Sequence, residues 1–176
     1  TPSASSAASD VYKRQSIGTA DATVTAANLN DLNALTTVNV NAANVNTISS
    51  SSLSDINTLY TAGGVSGLGN EGVTVSDTGS IAAGTLTTIT AANGSGTLTA
   101  SAAATVTGTA TEIVAALSDS TITLASDVAL TVNSGTATLS QTRTLNSGTD
   151  GVVTATIADT RAVSYTHLTL PTKQMV

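Results

Sequence analysis

Few side chains in this sequence could do chemistry, and most of those are carboxylates. Glu71 follows Gly69-Asn70, Asp77 sits in SDT, Asp127 in SDV, Asp150 in SGTDG and Asp159 in ADT. Turn oxygens of this kind could hold Ca²⁺, which takes several ligands from Asp, Asn and backbone carbonyls. No repeat places two carboxylates at loop-ligand spacing, and the GGxGxD nonapeptide is absent. Solvated turns and helix caps account for these residues more simply. Paired carboxylates could also cleave a glycosidic bond, as on some parallel β-helices that degrade polysaccharides. Between Ser16 and Ala162, however, Tyr60 is the one aromatic residue, and it reads as a core-facing helix residue; no His or Lys is present to tune a site. The expectation is a protein that is not an enzyme, with no catalytic, cofactor-binding or metal-ligating residue to name. A third possibility lies in the Thr-x-Thr steps at Thr23/Thr25, Thr97/Thr99, Thr105/Thr107, Thr121/Thr123 and Thr154/Thr156. A regular Thr array could bind ice. The steps lie 24 to 33 residues apart along much of the chain, which argues against an even lattice. Thr as an ordinary outward strand residue is the plainer reading.

Composition narrows the partners. The chain has 176 residues, a net charge of −6 and no Cys, so disulfide and thiolate-metal scaffolds are excluded. There is no basic, aromatic-bearing face for nucleic acid, and no run of about 20 apolar residues for a membrane span. About half of Ser16–Ala162 is Thr, Ala or Ser, and that stretch contains no Lys, His, Pro, Met or Cys. An acidic surface without Lys suits a long chain that must stay soluble and self-repelling. The positive mean hydropathy of 0.24 and the regular Val, Ile and Leu spacing argue against disorder.

The missing residue types cluster at the ends. SSAASDVYKRQ (Ser5–Gln15) resembles a translated transposase-type sequencing adapter. The reverse complement of one DNA reading of Thr1–Gln15 translates as VSYTHLTLPTKQMV, which is Val163–Val176. Residues 1–15 and 163–176 are therefore expected to be non-biological, poorly ordered and weakly packed. Residues 16–162 are expected to be an interior slice of a longer protein.

That interior repeats. Val40, Ile48, Asp55 and Ile56 align with Leu98, Val106, Glu112 and Ile113 at offsets of 57 or 58 residues, and Leu29 aligns with Leu86. TLNSGTDGVVTA (Thr144–Ala155) echoes TITAANGSGTLTA (Thr88–Ala100). Period-two runs predict strands over 22–26, 38–42, 72–76, 96–100, 121–125 and 152–158. Helices are predicted over 28–35, 52–60 and 109–117, the last opening with a Thr109/Glu112 capping box. Weaker helical patterns cover 82–89 and 138–145. The helix centres give a strand-plus-helix coil of roughly 28 residues, within the range of solenoid repeats. The predicted fold is a repeat solenoid of short parallel β-strands stacked coil on coil, with short helices on several coils; a tandem β-sandwich is the alternative. Val40, Leu98, Ile122 and Val153 are expected to be rungs of one shared aliphatic core.

GLGNEGVTVSDTGSIAAGTL (Gly67–Leu86) and GVVTATIADT (Gly151–Thr160) resemble the tandem repeats of very large bacterial surface proteins, especially those of marine cyanobacteria. The resemblance implies a spacer or adhesive stalk outside the cell. Neighbouring repeats of the same chain would be its partners, and a surface or glycan partner stays open. Calcium-stabilised, glycan-binding and ice-binding repeats are the alternative functions. The third copy departs from the family pattern, because SDVALTVNSGTATLSQTRTL (Ser126–Leu145) stands where the capped helix would be.

Overall fold

A computed structural model describes residues 15–158. The expectations for residues 1–14, for Asp159 and for 163–176 fall outside the described residues. Gln15, placed on the non-biological side of the expected boundary, pairs in register with Val40.

The chain is α/β. Twelve short strands run in the order β1 (Gln15–Ser16), β2 (Thr23–Thr25), β3 (Val40–Asn41), β4 (Thr47–Ser51), β5 (Val65–Ser66), β6 (Gly72–Val75), β7 (Ser80–Ala82), β8 (Leu98–Thr99), β9 (Thr105–Thr109), β10 (Ile122–Thr123), β11 (Ala129–Ser134) and β12 (Val153–Thr154). Among the described residues five α-helices intervene, α1 (Ala26–Ala34), α2 (Leu53–Thr61), α3 (Ala83–Asn93), α4 (Ala110–Ser118) and α5 (Leu139–Ser147), with a 3-10 turn at Thr19–Asp21. The strands form a first sheet β1-β3-β5, a central sheet β10-β8-β6-β4-β2 and a last sheet β12-β11-β9-β7. Every pair among the described residues is parallel. Consecutive helices pack side by side along the stack.

The register sets a unit shorter than expected. In the central sheet Val24 pairs with Ile48, Ile48 with Val73, Val73 with Leu98 and Leu98 with Ile122, steps of 24 or 25 residues. The expected 28-residue unit is therefore not the stacking step. The 57-residue sequence repeat is nonetheless real in the helix caps: Ser52 and Thr109 are equivalent, as are Thr25 and Ala82. Two stacking steps leave about eight residues of each 57, and an extra strand occupies them. After β6 the chain makes β7 before its helix, and after β11 it bridges Ala137 to Ile157 before α5. Each extra strand moves the next helix over by one sheet position. Thus α1 and α2 follow central-sheet strands, whereas α3 and α4 follow last-sheet strands.

Apolar residues on alternate strand positions and on one helix face meet in a common core. Ile48, Leu98, Val106 and Leu130 from the strands are fully buried, as are Ile56, Leu86, Ile89, Ile113 and Leu145 from the helices. Each contributes about 1.5–3 kcal/mol on burial. Leu98 and Ile122 are register partners as expected. Val40 and Val153 lie on other sheets, paired with Val65 and Leu130, so the four are not rungs of one ladder. Val153 packs against the common core, and Val40 is buried outside that cluster.

Helix starts follow the caps. Thr25, Ser52, Thr109 and Thr138 each accept the N–H three residues on. In addition, the following unit caps the first turn of two helices. Ser51 accepts the Ala26 N–H at 2.9 Å, and the Asp77 carboxylate accepts the Leu53 N–H at 2.7 Å. The segment 126–146, which departs from the family pattern, contains strand β11 and then a capped helix, because Thr138 and Gln141 form a capping box. The first helix starts at Ala26 rather than Asn28, and Leu35, the last residue of the expected helix 28–35, is its C-cap and 85% exposed.

Candidate functional site

The end of α2, the turn before β6 and the end of α3 bring three polar side chains together in the interior. Tyr60, near the end of α2, is half-buried and donates its phenolic proton to Glu71 Oε2 at 2.9 Å. Glu71 is 0% exposed. Its carboxylate also accepts the Gly69 N–H, at 2.9 and 3.1 Å from the two oxygens. Asn93, buried at the end of α3, holds the Glu71 backbone on both sides. Its Nδ2 donates to the Glu71 carbonyl at 2.8 Å, and its Oδ1 accepts the Glu71 N–H at 3.0 Å. A Cβ at Gly96 would collide with that carbonyl and with the Asn93 amide, so glycine is required for the close approach. Burial and the neighbouring Glu71 carboxylate push the Tyr60 phenol well above its ordinary range. The cluster is therefore a buried, hydrogen-bonded Glu71 side chain held by a phenol that stays protonated at neutral pH.

Glu71 is a correction to the expected solvated turn. The signal was the alternation itself: Glu71, Val73 and Val75 are all buried on one face, one step further back than the run 72–76. The other carboxylates stay outside. Asp77 caps α2, and Asp127 and Asp150 are exposed. Among the described residues no three His, Cys, Asp or Glu side chains converge as a metal site. No described helix is long and apolar enough to cross a membrane.

Two cap and turn carboxylates are tuned by their partners. The Thr109 N–H and hydroxyl donate to Glu112 at 2.7 and 2.9 Å and hold its carboxyl below the usual range. The Thr121 hydroxyl and N–H, with a smaller part from Thr90, do the same for Asp119. A carboxyl whose folded pKa is depressed stabilises the fold above its unfolded pKa and loses that contribution as pH falls through the folded value. Stability should therefore decline below about pH 4, the unfolded range of Glu and Asp. Thr109→Ala should cost about 0.5–2 kcal/mol at neutral pH and should flatten part of that acid limb. Urea midpoints at constant m-value, measured from pH 7 to pH 3, check both effects.

The outward face of the central sheet carries a second arrangement. Thr23 pairs with Thr47, and Thr25 with Ser49, on either side of the core pair Val24/Ile48. Thr47 then pairs with Gly72, Thr74 with Thr99, and Thr99 with Thr123. Thr97 and Thr121 continue the column before the core residues, bonded through their carbonyls to Val73 and Leu98 N–H. A bulge at Ser49–Ser51 is the one irregularity in this ladder. Three Thr-x-Thr steps that are unevenly spaced in sequence thus stand on one ladder, with Thr105/Thr107 on the next sheet. The columns are not continuous: Gly72 presents no side chain in one of them, and the bulge takes Ser49 out of register with Thr74 in the other, so the lattice stays uneven as expected. Comparison with family models, curated proteins and solved structures finds no match to this chain.

Proposed function

We propose that this chain is a slice of a solenoid that serves as a structural spacer, a stalk segment of a large extracellular surface protein. The observation that carries the reading is the repeated parallel register at 24 or 25 residues, through five strands of the central sheet. Successive units also interlock through side chains, as when Ser51 and Asp77 cap the helices of the preceding units. A unit of this size cannot bury its apolar face alone, so stacking supplies the stability. The resemblance of Gly67–Leu86 to giant surface-protein repeats supports a place at the cell surface. Carboxylates engaged in caps or exposed in turns suit a passive role. The reading predicts that stability rises with the number of stacked units. Chains carrying this segment once, twice and three times in tandem should show rising urea midpoints and m-values. Midpoints and m-values that do not change with copy number would sink the solenoid.

A further inference from the structure

We propose that Asn93–Gly94 is a self-modification site, at which spontaneous deamidation breaks up the interior polar cluster and ages the stack in one direction. The inference rests on the geometry of this junction and not on the spacer role. Asn followed by Gly is the most labile Asn dipeptide, because the second residue has no Cβ to shield its backbone nitrogen. This is the one such pair in the chain. The Gly94 nitrogen attacks Asn93 Cγ. A Cγ–N bond forms, the Cγ–Nδ2 bond breaks, and the Gly94 N–H proton leaves with the amide as ammonia. Water then opens the cyclic imide at either carbonyl, leaving aspartate or isoaspartate at position 93.

The fold demands both members of the pair. Gly94 follows α3 with a φ of +59°, and a Cβ there would lie 2.7 Å from the Gly69 carbonyl oxygen, so a larger residue would be both strained and crowded. An amide is needed before it, since one side chain both donates to the Glu71 carbonyl and accepts the Glu71 N–H. Those bonds commit the amide to Glu71, and Asn93 is fully buried. The reaction therefore waits for the junction to open. Neither product can close it again. A carboxylate at neutral pH has no proton for the Glu71 carbonyl. It also sets a second acid beside the Tyr60 hydroxyl, which already lies 2.9 Å from Glu71 Oε2 and 3.2 Å from Asn93 Oδ1. Isoaspartate lengthens the backbone by one atom just before Gly96, where the approach to the Glu71 carbonyl leaves no room even for a Cβ. In the next repeat Thr149 supplies the equivalent donor and carries no amide, so that junction is spared.

The test is peptide mapping of the full chain aged in mildly alkaline buffer across a urea series. Amide-to-acid conversion and isoaspartate at position 93 should rise with the unfolded fraction and level off above the midpoint. Without urea, conversion should be at least about a thousandfold slower than on that plateau, as the scarcity of unfolded chains requires. Chains converted in urea and returned to buffer should refold with a lower urea midpoint than unconverted chains, or not at all. Asn93→Asp should show the same loss when made directly, and Asn133→Asp, at an exposed position, should show none. Asn93→Thr keeps a donor but forms no imide, so its midpoint should not drift on ageing in urea. The conversion curve of the intact chain decides even where a variant fails to fold. Conversion at position 93 that is as fast without urea as with it would overturn the proposal. So would converted chains whose midpoint equals that of intact ones.

Discussion

Leu98→Asp should unfold the chain at neutral pH. Leu98 is fully buried in the central sheet, with Val73 on one side and Ile122 on the other. A carboxylate there loses its water and gains no donor, because the neighbouring strand N–H groups are already committed to the parallel ladder. Burying an unpaired charge costs several kcal/mol at least, against a total stability of about 5–15 kcal/mol for a domain of this kind. The penalty falls on the charged form, so folding should return in part as pH is lowered and the carboxyl is neutralised. Thr99→Asp, one residue on and pointing outward, is the matched control and should change the midpoint by no more than about 0.5 kcal/mol. Circular dichroism and urea titration of the two variants check the expectation. A folded Leu98→Asp chain at pH 7 would mean that this position does not face the core.

The strand faces were legible because the alternation is strong where Val, Ile or Leu recur, as at Val73/Val75 and Leu98/Ala100. The helices were legible through their caps; Thr109 with Glu112 and Ser52 with Asp55 stand where the sequence places them. The strands β1, β4, β5, β7, β9 and β11 carry no such alternation. β1 and β5 are two residues long, and β4, β7, β9 and β11 each contribute essentially one large core residue, Ile48, Ile81, Val106 or Leu130, which makes no period. Missing them had a specific consequence. Without β7 the 57-residue repeat looked like two equal halves of about 28. With it, the repeat is two equal stacking steps plus one added strand. The helix of segment 126–146 was obscured for a different reason: its capping box uses Gln141 rather than an acid, and Leu145 is its one buried residue.

The interior polar cluster was half legible. Tyr60 falls on the buried face of α2, four residues after Ile56, and its hydroxyl therefore demands a partner. What the sequence alone could not supply is the partner from the turn before β6. Glu71 and Asn93 are 22 residues apart and meet because β6 and the end of α3 are neighbours in the stack. The Thr columns were obscured in the same way. Their partial alignment exists in the register, not in the spacing along the chain.

Removing the buried carboxylate alone should be costly, and removing it together with its donor should not. The next repeat gives the reason. At offset 57, Tyr60 corresponds to Leu117 and Glu71 to Val128. There the backbone contact survives, with the Thr149 hydroxyl donating to the Val128 carbonyl at 2.6 Å, as Asn93 donates to the Glu71 carbonyl. The junction between α2 and β6 can therefore be built with apolar side chains at both positions. Glu71→Val leaves the Gly69 N–H without its acceptor and the Tyr60 O–H with Asn93 Oδ1 alone, at 3.2 Å, and should cost about 1–3 kcal/mol, the range for one orphaned buried group. Tyr60→Leu strips one donor from a buried carboxylate and should also be destabilising. The double variant Tyr60→Leu/Glu71→Val removes donor and acceptor together, and Asn93 keeps its bonds to the backbone of residue 71. It should be more stable than either single variant, as apolar replacements of buried polar pairs often are. The coupling energy from a double-mutant cycle, read from urea midpoints at constant m-value, decides the matter. Additive losses would show that the cluster is required at this junction rather than interchangeable with Leu117 and Val128.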